Sequence, residues 1–247
     1  MGAYEYAAPK SVEDAVRLLD EADRDGIRTQ ILAGGTDVLV QMRSVDNQPR
    51  TLVDIKQIAE TQRLDIGSDG IFIGAAIPSA ELNENAELKS ILPGLIEAAD
   101  LIGSTQIQGR ASIGGNLCNS SPAGDTIPAL IANAAVCVIA GPNGQREVAV
   151  EEFVTGVGQN CLEANEILLG LSIPRPSDRT GDAYLRFIPR TEMDIAVAGA
   201  GVSVTLDGDG NCTAARVGIG AVAITALNVP EAASALVGSK VDASALE

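Results

Sequence analysis

Two short glycine-rich runs hold the residues best suited to chemistry in this 247-residue chain. The first is Leu32-Ala33-Gly34-Gly35-Thr36-Asp37. The second is Ala111-Ser112-Ile113-Gly114-Gly115-Asn116, which continues through Cys118, Asn119, Ser120 and Ser121 to Asp125. Adjacent glycines let the backbone turn tightly and bring N–H groups up to an anion, because no Cβ blocks the approach. A helix start just behind the first run would add favourable partial positive charge, and Thr36 offers a hydroxyl. The small hydroxyl and amide side chains of the second run supply many donors and little bulk. That set suits a pyrophosphate and ribose lying along the segment, with Asp125 able to accept from ribose or adenine groups. Taken singly, each run also reads as an ordinary turn.

Other chemistry is excluded by what the chain lacks. There is no histidine, which removes the commonest metal ligand, the usual general base and any Ser-His-Asp triad. The four cysteines, Cys118, Cys137, Cys161 and Cys212, form no C-x-x-C pair, so neither a zinc ribbon nor an iron–sulfur cluster is written here. They read as free thiols, and Cys118, with no basic neighbour, reads as small-residue packing rather than a redox centre. Chemistry in such a chain must be brought by a cofactor. With 33 acidic against 17 basic residues and a net charge of −16, no Lys/Arg cluster forms a nucleic-acid surface. No apolar run is long enough for a transmembrane segment. The first residues lack the order of an export signal, so the cytoplasm is the expected compartment.

Ordinary elements must position the runs. Ser11 caps an expected helix whose stripe is Val12, Ala15, Val16, Leu19 and Ala22, ended by Asp25-Gly26. Ile31-Leu32 predicts a strand entering the first run, and Val38-Leu39-Val40 a helix leaving it. Leu52 to Ile55 predicts a strand; Leu64 to Ile66 with Ile71 to Ile73, and Val136 to Ile139 with Val148 to Val150, predict hairpins. Helical spacing from Pro78 to Ile107 breaks at Pro93-Gly94, and Ile167 to Ile173 predicts a strand. Pro174 to Asp178 reads as a linker. Beyond it lie expected strands at Tyr184 to Ile188, Ile195 to Leu206 and Ala214 to Ile219, then a helix from Pro230 to Leu236. Gly218-Ile219-Gly220-Ala221-Val222-Ala223 mimics a dinucleotide fingerprint, but Pro230 interrupts the βαβ unit it would need. Asp207-Gly208-Asp209-Gly210-Asn211 opens like a calcium loop yet has Cys212 where the glycine belongs, and reads as a hairpin turn.

The two glycine runs, in this order and with the stretch from Arg110 through Asn119 to Asp125, resemble the flavin (medium) subunits of the xanthine dehydrogenase and aerobic carbon monoxide dehydrogenase family of molybdenum hydroxylases. Tyr184-Leu185-Arg186-Phe187 followed by Arg190 to Ala196 is similar to the start of that family's C-terminal flavin-subunit domain. The resemblance covers essentially the whole chain. It implies an α+β fold: a PCMH-type (vanillyl-alcohol-oxidase-like) FAD-binding domain over 1–176, with subdomains of about 1–55 and 56–176, and a smaller C-terminal α+β domain over 177–247. By position it implies that Leu32, Ala33, Gly34, Gly35, Thr36 and Asp37, with Ser112, Ile113, Gly114, Gly115 and Asn116, hold the FAD pyrophosphate. It implies an adenosine contact at Asp125, further FAD contacts at Leu101, Leu168 and Arg186, and Tyr184 near the flavin ring.

The function implied is electron transfer. Non-covalent FAD would accept electrons from [2Fe–2S] clusters on a small partner subunit, fed by a molybdenum cofactor on a large one, and pass them to an external acceptor. The expected assembly is a dimer of heterotrimers, with possible peripheral association at the inner membrane. The inserted cysteine segment that some members carry is absent, and the family continues past Glu247, so the last domain is expected to be incomplete. Two rival readings are a free-standing flavoprotein oxidoreductase with its own substrate pocket, for which no acid–base constellation is visible, and a degenerate structural subunit, against which both intact glycine pairs argue.

Overall fold

A computed structural model describes residues 4–44, 49–190 and 193–243. The chain begins with β1 (Tyr4–Ala7), α1 (Val12–Arg24), β2 (Arg28–Leu32), α2 (Val38–Ser44) and β3 (Arg50–Asp54). Ser11 Oγ accepts the Asp14 N–H at 3.1 Å, satisfying one of the donors that a helix start leaves over. The stripe Ala15, Val16, Leu19 and Ala22 is buried as the spacing requires, and Gly26, at φ +68°, turns the chain away. All three strands are parallel, in the order β1-β3-β2. The five residues of β3 are all buried, as befits a strand paired on both edges. β1 was not expected from the sequence; Tyr4-Glu5-Tyr6-Ala7 carries no periodic apolar signal and owes its form to pairing with β3.

The second lobe contains β4 (Leu64–Ile66), β5 (Gly70–Gly74), α3 (Ser79–Glu84), α4 (Ala86–Ile91), α5 (Pro93–Asp100), α6 (Thr105–Gln108), α7 (Ile113–Cys118) and α8 (Thr126–Ala132). It continues with β6 (Val136–Gly141), β7 (Gly144–Ala149), α9 (Val150–Phe153), β8 (Val154–Gly156), β9 (Gln159–Asn160) and β10 (Ile167–Pro174). The expected helical stretch over 78–107 is four short helices. Pro93 opens α5 at its first turn, where a missing N–H leaves no bond unmade. The antiparallel sheet has the order β4-β5-β10-β6-β7, so the late strand β10 becomes its centre. One face of β6 and β10, through Ala140, Ile167 and Leu169, packs with α1 and β3 and welds the first lobe to the second.

The last part comprises β11 (Thr180–Phe187), β12 (Ala198–Leu206), β13 (Cys212–Gly220), β14 (Leu227–Asn228) and α10 (Pro230–Leu236), with the strands ordered β11-β12-β13-β14. The strand expected from Ile195 begins at Ala198, and Thr191 and Glu192 lie outside the described residues. Gly218 and Gly220 belong to a strand and are followed by a turn. A Cβ at Gly201 or Gly218 would overlap the Pro128 peptide, and one at Gly94 the Ala183 backbone. The glycines thus let this sheet rest directly on α8 and α5. The Asp207 segment is a hairpin turn, its carboxylate accepting the Asp209 and Asn211 N–H groups at 2.9 and 2.8 Å. Among the described residues no cluster of carboxylate or cysteine side chains could hold a metal, and no helix is long and apolar enough to cross a membrane.

Asp182 fastens the sheet to α5. Its carboxylate accepts the Gly94 and Leu95 N–H groups at 3.1 and 3.0 Å and the Asn133 amide at 2.8 Å. Asp182→Ala is expected to lower unfolding stability by about 1–3 kcal/mol, read as a shift of the urea midpoint with little change in slope.

Candidate cofactor-binding site

Loop one (residues 32–37) and loop two (residues 111–116) come from different lobes and meet across a single cleft with a cavity volume of about 320 Å³. Their meeting depends on Gly34: a Cβ there would overlap the carbonyl oxygen of Arg110, the residue just ahead of loop two. Gly35 has φ +80°, a conformation that residues with side chains rarely adopt, and its N–H and those of residues 36–38 precede the first intrahelical bond, from Leu39 N–H to the Gly35 carbonyl at 3.1 Å. Loop two is tightened by Ser112, whose hydroxyl oxygen accepts the Gly115 N–H at 3.0 Å. Gly114 packs against the backbone of Ala75, whereas a Cβ on Gly115 would meet only Ser112 Oγ, at 3.1 Å. Gly114 is therefore needed for packing, and Gly115 leaves open space at the cleft.

Ten of the fifteen residues expected in the site line the cleft: Ala33 to Asp37, Ser112, Gly114, Gly115, Asn116 and Leu168, the last as part of a floor supplied by β10. Leu32 and Ile113 belong to the two loops but do not line the cleft, and Ile113 is buried in the core. Leu101 is also off the wall; its carbonyl accepts from Arg186 Nη1 at 3.2 Å, while its neighbour Ile102 lines the cleft. Asp125 and Arg186 form a separate buried group. Arg186 Nη1 donates to Asp125 Oδ2 at 3.1 Å and the Tyr184 hydroxyl donates to Oδ1 at 3.0 Å, with the two charged side chains 6% and 11% exposed. Burial pushes the Asp125 carboxyl up from its usual range, and the Arg186 charge and the Tyr184 hydrogen bond pull it only part of the way back. Burial likewise raises the Tyr184 phenol.

Several wall residues escaped the sequence reading. Gln30 of β2, Gln41 of α2 and Asn119 at the end of α7 all line the cleft. Gln30 donates to Gln41 at 3.0 Å and Gln41 to Asn119 at 3.2 Å, a run of amides joining the two lobes. Asn119 stood within the stretch that carried the resemblance; nothing in the local pattern marks the two glutamines. Asn116 is set by Thr126, whose hydroxyl donates to its side-chain oxygen at 2.7 Å. Cys118 lines the cleft, but burial, helped by nearby Cys161, pushes its thiol up to about 12. Its expected lack of thiolate character follows from that environment. The ionisable side chains in the described wall are Cys118 and the exposed carboxylate of Asp37. The rest of the wall is backbone, amides, hydroxyls and aliphatic carbon.

A glycine-walled cleft with N–H groups at two helix starts is of the class that suits an anionic cofactor. Comparison with known proteins then specifies which. Residues 2–176 match the FAD binding domain in molybdopterin dehydrogenase, and residues 183–247 match the CO dehydrogenase flavoprotein C-terminal domain. The chain is 31% identical to the nicotinate dehydrogenase FAD-subunit of Eubacterium barkeri, over all of this chain and 84% of that one. It is 36% identical to the carbon monoxide dehydrogenase medium chain of Hydrogenophaga pseudoflava, over 79% of this chain and 67% of that one. The structure of reconstituted CO dehydrogenase from Oligotropha carboxidovorans superposes with a TM-score of 0.91 at 33% identity, covering 99% of this chain and 84% of that one. This chain belongs to the family of FAD-binding subunits of molybdenum hydroxylases, and is an oxidoreductase subunit of the xanthine dehydrogenase and carbon monoxide dehydrogenase type.

The residues present fit FAD. Gly115 lines the cleft without a side chain to fill it, and both loops turn toward that one cleft. Arg186→Met would leave Asp125 buried without its cation. It is expected to cost about 3–5 kcal/mol in the FAD-free chain, measured by urea unfolding, with Asp125→Asn added to the same chain recovering part of the loss.

Proposed function

We propose that this chain is the flavin-bearing relay of a molybdenum hydroxylase complex, accepting electrons from [2Fe–2S] clusters on a small partner subunit and passing them to an external acceptor. A large subunit would carry the molybdenum cofactor, and the assembly would be a dimer of heterotrimers in the cytoplasm. The observation that carries the reading is the convergence of both glycine loops on one cleft, whose described wall holds no general acid–base pair. The chain divides into an FAD-binding domain over 1–176, with subdomains of about 1–55 and 56–176, and a C-terminal domain over 177–247.

When bound, FAD supplies redox chemistry that none of these side chains can perform. The chain's own part is to bind and orient. Loop one, Leu32 to Asp37, and loop two, Ser112 to Asn116, present N–H groups to the pyrophosphate, and the Thr36 hydroxyl adds a donor. Leu168 forms apolar floor that keeps water from the ring. Asp125, Leu101 and Arg186 fix the C-terminal sheet beside the site. The chain has no histidine, so a histidyl–flavin bond is excluded, and in this reading FAD is held non-covalently.

The purified chain supplied with FAD is expected to show flavin absorption bands and no turnover of an organic substrate or CO by itself. Failure to take up FAD would overturn the reading; turnover by the isolated chain would favour a free-standing flavoprotein. Two glycine variants separate cradle from scaffold. Gly115→Val should abolish FAD retention with little change in the melting temperature of the FAD-free protein. Gly34→Ala should lower both, since it drives loop one off the Arg110 carbonyl. Equal FAD retention in Gly115→Val and the unaltered chain would remove Gly115 from the cradle.

A further inference from the structure

We propose that Lys56 is a positioning residue for the cofactor's phosphates, acting through loop one without touching the ligand; the proposal rests on loop one binding FAD. Lys56 follows β3 by two residues and is absent from the cleft wall. Its ammonium donates to the Ala33 carbonyl at 2.9 Å and to Asp54 Oδ1 and Oδ2 at 2.8 Å each. An ammonium has three N–H donors, and three acceptors surround this one. Asp54, its side chain 9% exposed, neutralises the charge and is held from the far side by the Tyr6 hydroxyl at 2.7 Å. It also accepts the Lys56 backbone N–H at 3.0 Å.

This geometry decides between two roles for a cation beside a phosphate loop. A lysine spent on a buried carboxylate and a carbonyl has neither free charge nor a free donor for a pyrophosphate. What it does hold is a peptide plane. In a trans peptide the carbonyl and the following N–H point in opposite directions, so pinning the Ala33 carbonyl sets the direction in which the Gly34 N–H is offered. The bond is charge-assisted and therefore stronger than a neutral one. A second tie lies beside it, from Ile55 N–H to the Leu32 carbonyl at 3.1 Å. The end of β3 thus carries the entry side of loop one, while Gly34 itself abuts Arg110. Tyr6, in β1, extends the support to the far edge of the parallel sheet.

The test compares the full chain with Lys56→Met, Lys56→Arg and the double variant Asp54→Asn/Lys56→Met, which leaves no unpaired buried charge. FAD dissociation constants are read by titration at two salt concentrations, alongside melting temperatures and loop-one amide exchange in the FAD-free proteins. Lys56→Met and the double variant are expected to weaken FAD binding by at least about tenfold and to speed exchange at residues 34–36. The double variant should melt within about 3 °C of the parent, and Lys56→Arg should restore most of the affinity. The salt dependence of binding should be the same in all four proteins, because no phosphate contact has been removed. Unchanged affinity in both Met-containing variants would overturn the proposal. So would a loss of affinity that merely follows the melting temperature, or a flattened salt dependence, which would make Lys56 a direct phosphate ligand. If the parent chain takes up no FAD, the assignment of loop one falls first; if it does and the variants bind equally well, only the role of Lys56 falls.

Discussion

The whole arrangement depends on one contact between backbones, Gly34 against the Arg110 carbonyl. Two loops from two lobes close on one cleft at this spacing because Gly34 carries no Cβ to meet the Arg110 carbonyl. Loop one leaves a parallel strand and loop two starts a short helix, so each presents N–H groups. The helix dipole terms are modest for segments this short. Convergence of two loops does more than either alone. The remaining structure can be understood as what holds that contact: α1 and β3 against the backs of β6 and β10 on one side, α7 and α8 on the other.

The C-terminal sheet takes part in the same mechanics. Arg186 and Tyr184 of β11 hold Asp125, the residue that starts α8; Thr126, next in the chain, holds Asn116 of loop two. A short line of hydrogen bonds therefore joins the last sheet to the cradle. Asp125, Thr126 and Tyr184 in this line are buried, which makes those bonds costly to break. Glycines at 94, 201 and 218 allow the sheet to approach α5 and α8 closely enough for those bonds to form.

Much of this was legible in the chain where the signal is local. The α1 cap and stripe, the hairpin at 64–73, the strand at 167–173 and the helix at 230–236 each follow from neighbouring residues. Both glycine loops do as well. What stayed hidden is non-local. β1 exists because β3 offers it an edge, and Pro93 begins a helix because Leu92 already ends another. Gly34 and Gly115 look alike in the sequence, yet one faces a carbonyl and the other the cleft. The Gln30–Gln41–Asn119 run cannot be seen without the fold, since its members lie 11 and 78 residues apart. Leu101 was expected at the wall and Ile102 occupies it, a shift of one position that residue types alone do not resolve.

Cys118 has a consequence for durability. Burial, helped by nearby Cys161, holds the Cys118 thiol in its protonated form at neutral pH. Oxidation to the sulfenic acid proceeds through the thiolate, so the same burial disfavours it. A soft, polarisable side chain can therefore fill part of the cleft wall as a protonated thiol. Loosening the contact with β9, where the Asn160 amide donates to the Cys118 carbonyl, would weaken the burial that keeps this thiol protonated.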